Sequence, residues 1–342
     1  MGKVAIIGAG AWGTALGAHA ARLDHDVCMW ALEPPVVDDL NARHRNTAFL
    51  PDVKLPERLR ATSDPAEAVA GAELVVLVPP SRYLRSVSAL LAPHLPAGAV
   101  VVVATKGIEE GTGELMSQVL EATLPGVGPE RLAFLSGPSF AREVARGLPT
   151  DVAVASPRMT AARAVQRLLH TPMFRVYTSA DPIGVQVGGA VKNVIAVAAG
   201  ACDGLELGTN ARAALITRGL TEITRLGLAL GAKPLTFLGM AGVGDLVLTC
   251  TGALSRNRTL GLKVAEGADP KAYLASVRSV AEGFYTSAAT YALAQKLGVD
   301  MPITEGVYHV LHQGRPLLDA LKMLMTRSFK EELLGIDEQD EA

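Results

Sequence analysis

The feature that most restricts the fold lies near the start of the chain, where the apolar run Val4-Ala5-Ile6-Ile7 meets Gly8, Gly10 and Gly13 and then an Ala-rich stretch. A short apolar run, a GxGxxG spacing and a helical pattern in that order describe a strand, a tight turn and a helix. The first glycine permits the turn, the second lets the backbone approach a pyrophosphate, and the third lets the helix pack on the strand. Free N–H groups at the helix start, and the positive end of its dipole, then face the phosphates. The run predicts a dinucleotide site built by Gly8, Gly10, Ala11, Trp12 and Gly13. Trp12 either stacks on the cofactor or fills the interface of sheet and helix, whereas Trp30 is expected in the core.

The same alternation continues through the first half of the chain. Short apolar runs at 3–7, 26–30, 74–78, 99–104, 132–135, 152–155 and 174–177 alternate with helical patterns at 12–23, 83–92, 113–122 and 160–169. Alternating strand and helix imply an α/β, Rossmann-like domain with a mostly parallel, doubly wound sheet covered on both faces. After about residue 180 the strand signal fades, and helical segments follow at 182–200, 210–230, 256–265, 283–296 and 302–325. The second half therefore reads as all-α. The boundary is expected at Asp181-Pro182, since proline is tolerated in the first helical turn. This gives a dinucleotide-binding domain over 1–181 and a helical substrate and catalytic domain over 182–342, ending in an acidic, solvated tail from Glu331.

Lys and Arg number 32 against 34 Asp and Glu. No global basic field exists to hold nucleic acid or an anionic membrane surface, which leaves a small molecule as the expected ligand. Cys28, Cys202 and Cys250 lack the paired spacing of a zinc or redox motif and read as reduced thiols of a cytoplasmic protein. The apolar stretch from Lys3 to Ala18 superficially imitates a secretory signal, but its glycine spacing has the better explanation, and no run of 18 apolar residues suggests a membrane span. A second strand ends near Glu33, about where an acidic residue meets the adenosine ribose 2′-OH. Glu33 has no adjacent Arg or Lys and favours NAD over NADP, or else it is a surface residue before Pro34-Pro35.

Four further segments set polar residues among small ones: Thr105-Lys106-Gly107, Ser136 to Ala141, Gly188 to Asn193, and Gly242 to Asp245 leading to Ser255-Arg256-Asn257-Arg258. In open α/β sheets ligands bind beyond the carboxyl ends of strands, and Lys106 and the Ser136 segment both follow strands directly. Lys192 lies on an apolar helix pattern, Val187 to Val197, so it needs a partner or a job, or it snorkels to the surface along its methylene stem. A desolvated lysine beside other cations has a lowered pKa and suits general acid–base work. Ser255, Arg256 and Asn257 together offer the guanidinium fork and short donors that a phosphate dianion requires, or they are a solvated basic helix start. Asp245 and Glu282 could each be only a helix cap. None of the seven histidines falls in these segments, so neither a catalytic histidine nor a metal is expected.

Taken in order, Gly8-Ala9-Gly10-Ala11-Trp12-Gly13-Thr14, Thr105 to Glu109, Ser136 to Ala141, Lys192 to Ala196, Gly242 to Leu246, Ser255 to Arg258 and Glu282-Gly283 resemble NAD(P)-dependent glycerol-3-phosphate dehydrogenases of the bacterial type. The resemblance implies reduction of dihydroxyacetone phosphate to sn-glycerol 3-phosphate, feeding phospholipid synthesis, with Lys192 as acid/base, Asp245 orienting it and Lys106 polarising the same oxygen. It further implies that Gly137, Ser139, Lys106, Lys192, Asn193, Asp245, Ser255, Arg256 and Asn257 hold the substrate. Ala141, Lys106, Arg256, Val280 and Glu282 would lie against the cofactor beside the glycine turn and Glu33. A homodimer is expected, as for many soluble enzymes. Two departures stand out: Ala11 replaces the usual serine, and Leu32-Glu33 stands where many relatives carry a basic residue, which questions NADP but not the reaction. The competing readings are a β-hydroxyacid dehydrogenase, disfavoured by Ala196 four residues after Lys192, and a dinucleotide-sensing module, disfavoured by Lys106, Lys192, Asp245 and Arg256 together.

Overall fold

Runs of four to six mostly apolar residues form the strands: β1 Lys3–Ile7, β2 Asp26–Trp30, β3 Leu59–Thr62, β4 Leu74–Leu77, β5 Val100–Val103, β6 Leu132–Ser136, β7 Thr150–Ala155 and β8 Phe174–Ser179. They belong to a computed structural model that describes residues 2–277 and 280–328. The chain divides into two compact units, Met1–Thr105 with Met116–Pro182, and Lys106–Leu115 with Ile183–Ala342.

In the first unit the eight strands form one sheet in the order β3-β2-β1-β4-β5-β6-β7-β8. Every adjacent pair is parallel except β6 and β7. The helices are α1 Ala11–Arg22, α2 Pro34–Arg43, α3 Pro65–Val69, α4 Leu84–Leu91, α5 Met116–Thr123, α6 Ala141–Ala145 and α7 Met159–Leu169. The all-apolar β4 and β5 are buried nearly throughout, as parallel strands covered on both faces must be. The antiparallel β7 departs from a wholly parallel sheet; the short α6 and the turn at Gly147 return the chain without the longer crossover that a parallel neighbour requires. Strand β3 escapes the sequence pattern because four residues that include the exposed Arg60 carry little periodic signal. Between β1 and β4 the strand order reverses, and the Gly8 turn lies at the carboxyl end of β1, at this switch point.

The second unit is helical: α8 Pro182–Gly204, α9 Gly208–Ala229, α10 Asp245–Thr251, α11 Arg256–Ala265, α12 Pro270–Ser276, α13 Glu282–Leu297, α14 Pro302–Gln313 and α15 Leu317–Met325. The expected single helix over 302–325 is two, because Gly314 adopts a left-handed conformation at φ 66° and Pro316 follows. Helix α8 is long and apolar enough to cross a membrane, yet 94% of that apolar window is buried inside the protein, as befits a core helix. Its Val187, Val191 and Ile195 pack with Ile223 and Leu226 of α9 and with Ala289 and Leu293 of α13. Ile108 and Leu115 join this core, which is why residues 106–115 belong to the helical unit rather than to a continuous domain over 1–181. Helices α8 and α11 meet backbone to backbone: a Cβ on Gly200 would run into the Arg258 carbonyl, and one on Gly261 into that of Val197. The acidic tail from Glu331 lies outside the described residues.

Candidate active site

The glycine turn of the first unit is shaped by what a side chain would strike. Gly8 has φ 115°, a conformation that favours glycine, and a Cβ on Gly13 would collide with the Gly8 carbonyl, so α1 can seat on the turn only without one. Around Gly10 a Cβ would meet nothing, which leaves open space beside the backbone at the N-cap of α1, where no side chain caps the helix. Trp12 places its indole Nε1 in a buried position with no hydrogen-bond partner among the described residues. An uncapped helix start, open space at the second glycine and an unsatisfied donor suit the pyrophosphate of a dinucleotide. The turn is braced from beneath by Asn46, whose Nδ2 donates to the Ala9 carbonyl and to Thr14 Oγ1, each at 2.8 Å. The sequence motif does not point to Asn46, since it lies far along the chain in an irregular segment.

Glu33 is exposed at the N-cap of α2, just beyond β2, and its side chain makes no cap hydrogen bond. Ala11 begins α1, and Ala141 begins α6 while packing against the sheet core. Gly137 follows β6 at φ 145°, where a Cβ would meet the backbone of Val152, and its carbonyl accepts from Ser139 Oγ at 2.9 Å. All of these sequence-predicted residues belong to the first unit, and the others to the second.

Within the second unit Lys106, Lys192 and Asp245 come together. Lys192 is 6% exposed at the middle of α8 and does not snorkel. Its Nζ donates to Asp245 Oδ1 at 2.5 Å and to Thr249 Oγ1 at 2.8 Å. Lys106 Nζ donates to the other carboxylate oxygen, Asp245 Oδ2, at 2.7 Å. Asp245 is the first residue of α10, not its N-cap, and follows a kinked turn over Met240–Gly244. Thr249, four residues later on the same helix face, spends its own proton on the Asp245 carbonyl at 2.6 Å and so presents lone pairs to Lys192. The sequence reading missed Thr249; its i, i+4 spacing from Asp245 was the available signal.

Burial pushes the Lys192 pKa down to about 8, with the Asp245 charge opposing and that of Lys106 assisting. Burial works the other way on Asp245, but its two lysine neighbours prevail and hold it below the ordinary carboxylate range. The cluster thus carries two ammonium groups on one carboxylate, and two of the three Lys192 N–H groups are taken up by hydrogen bonds among the described residues.

Helix α11 supplies the second group of residues. Ser255 is its N-cap, its Oγ accepting from the Arg258 N–H at 3.2 Å, and its own hydroxyl proton stays available. Arg256 is exposed at the first helical position. Buried Asn257 donates through Nδ2 to Asn193 Oδ1 at 2.8 Å and accepts from the Gly283 N–H at 2.9 Å. These two asparagines therefore join α8, α11 and the start of α13, where Glu282 is the first residue. Val280 lies two residues before Glu282 and is partly buried.

Two family models match nearly the whole chain: the N-terminal part of NAD-dependent glycerol-3-phosphate dehydrogenase over residues 3–162 and its C-terminal part over 181–322. A glycerol-3-phosphate dehydrogenase [NAD(P)+] of Geobacter sulfurreducens is 53% identical over 330 residues, covering 96% of this chain and 98% of its own. The crystal structure of glycerol-3-phosphate dehydrogenase from Coxiella burnetii superposes with a TM-score of 0.91 at 41% identity, over 95% of this chain and 99% of its own. The corresponding yeast structure gives 0.79 at 28% identity, over 94% and 99%. The chain belongs to the NAD-dependent glycerol-3-phosphate dehydrogenase family.

Proposed function

We propose that this chain reduces dihydroxyacetone phosphate to sn-glycerol 3-phosphate, reversibly, with NADH or NADPH. The observation that carries the reading is the buried carboxylate of Asp245 shared by Lys106 and Lys192. A bound nicotinamide supplies or accepts the hydride at carbon 2. Lys192 donates its remaining N–H to the ketone oxygen and passes a proton to it as negative charge develops, a task suited to a pKa of about 8. Lys106 polarises the same oxygen, and Asp245 keeps both ammonium groups in place while remaining ionised.

Arg256, with Ser255 and Asn257 beside it, grips the phosphate, aided by free N–H groups at the start of α11. Gly137, Ser139 and Asn193 complete the substrate contacts. Gly8, Gly10, Ala11, Trp12, Gly13, Glu33, Lys106, Ala141, Arg256, Val280 and Glu282 serve the cofactor. The setting we infer is a cytoplasmic homodimer whose product enters glycerophospholipids; three free and buried cysteines, Cys28, Cys202 and Cys250, support a reducing compartment.

The test is the purified chain with NADH and dihydroxyacetone phosphate, followed by loss of NADH absorbance. Rapid oxidation with this ketone and weak oxidation with dihydroxyacetone is the expected result. No phosphate-dependent turnover with either NADH or NADPH would overturn the reading.

A further inference from the structure

Asp203, next to the last residue of α8, divides its carboxylate between two guanidinium groups. Oδ1 accepts from Arg212 Nη1 of α9 at 2.9 Å, and Oδ2 accepts from Arg258 Nε of α11 at 2.7 Å. Arg258 Nη2 lies a further 2.7 Å from Oδ2, so the guanidinium presents two nitrogens to one oxygen. None of the three residues lies in the lysine cluster. All three side chains keep some contact with water, at 16%, 27% and 23% exposure for Asp203, Arg212 and Arg258.

We propose that Asp203 is a positioning residue for phosphate recognition, fixing the first turn of α11 through Arg258 so that Arg256 is presented correctly. Two residues apart on a helix point to nearly opposite sides, so Arg258 holds the turn from behind while the exposed Arg256 projects outward. Asn257, between them, is tied to Asn193 of the same helix α8. The turn is therefore anchored to α8 at two places ten residues apart, 193 and 203. The glycine contacts of Gly200 and Gly261 lie within this stretch and allow the helices to approach closely enough for both ties. The three side chains are mostly buried, so loss of one partner also lowers folding stability, but a purely structural loss would fall on the phosphorylated and unphosphorylated ketones alike. A misplacement of a gripping group by about 1 Å, in contrast, costs roughly 10²-fold in catalysis.

The inference rests on Arg256 as the phosphate-gripping group, and the experiment separates the two. Asp203→Asn, Arg258→Gln, Arg256→Ala and the double variant Asp203→Asn/Arg256→Ala are assayed as whole enzymes with dihydroxyacetone phosphate and with dihydroxyacetone, alongside melting temperatures. Asp203→Asn and Arg258→Gln should each lower kcat/KM for the phosphorylated ketone roughly 10-fold to 100-fold, chiefly through KM, and leave the unphosphorylated ketone almost unchanged at temperatures well below the melting point of each variant. In the Arg256→Ala background Asp203→Asn should cause no further loss. Equal losses on both ketones, losses that multiply in the double variant, or no loss at all would overturn the role of Asp203 while Arg256 keeps its own. If Arg256→Ala itself fails to discriminate between the two ketones, the reading of Arg256 falls and the role of Asp203 with it.

Discussion

Lys192 Nζ and Asp245 Oδ1 meet at 2.5 Å in a place where burial disfavours the charge on each. The attraction between them offsets part of that burial penalty, and Lys106 on the other carboxylate oxygen adds to the hold on the Asp245 charge. The pairing also orients the ammonium, since its second bond goes to Thr249, and orientation is what a proton donor to a ketone requires.

Replacing Lys192 with Met keeps the bulk of the apolar helix and removes the proposed proton donor. We expect kcat for ketone reduction to fall by roughly 10²–10⁴ with the circular dichroism spectrum unchanged. Turnover near that of the parent enzyme would remove Lys192 from the mechanism.

The reaction should depend on pH in opposite senses for its two directions. Ketone reduction needs the ammonium form, which prevails below the Lys192 pKa of about 8 and is lost as pH rises through it. Oxidation of glycerol 3-phosphate needs the neutral amine and should rise over the same range. In Asp245→Asn the attraction that upholds the lysine charge is gone, and the reduction limb should move to lower pH. A limb that stays in place in this variant would show that another group titrates.

Glu33 favours NAD. Steady-state kcat/KM should be higher with NADH than with NADPH, and Glu33→Gln should narrow the gap, because an acidic group at the N-cap of α2 would accept from a ribose hydroxyl there and repel a 2′-phosphate. Equal or reversed values in the parent enzyme would sink this expectation.

Glu222 of α9 is fully enclosed and accepts hydrogen bonds from Ile303 N, Thr304 N and Thr304 Oγ1 at 2.6, 3.1 and 2.9 Å, clasping the start of α14. Burial raises its pKa to about 7 from an ordinary 4.5, against the pull of those donors. A carboxyl group whose folded pKa lies above its unfolded one binds more protons when folded, so its contribution falls as pH rises from 4.5 to 7 and is constant above. The melting temperature should therefore decline over that window, and Glu222→Gln should flatten the decline. A parallel decline in both proteins would assign it to other groups.

Much of this was legible in the sequence because the informative residues sit in local patterns. The GxGxxG turn announces itself through three neighbouring positions, and Lys192 through the apolar helix around it. Residues whose role comes from a distant partner leave no such trace. Asn46 braces a turn more than 30 residues away, Asp203 needs Arg258 fifty-five positions later, and Thr249 is one hydroxyl among many until Lys192 is seen beside it. The same limit explains the orientation of β7 and the allegiance of residues 106–115, both decided by tertiary packing.

That short excursion carries Lys106 out of the sheet-bearing half of the chain and into the body that holds Lys192 and Asp245. All three charges belong to that one body, although the chain passes through the other between Lys106 and Lys192. The distances that join the two ammonium groups to their shared carboxylate are therefore fixed by the folding of a single body.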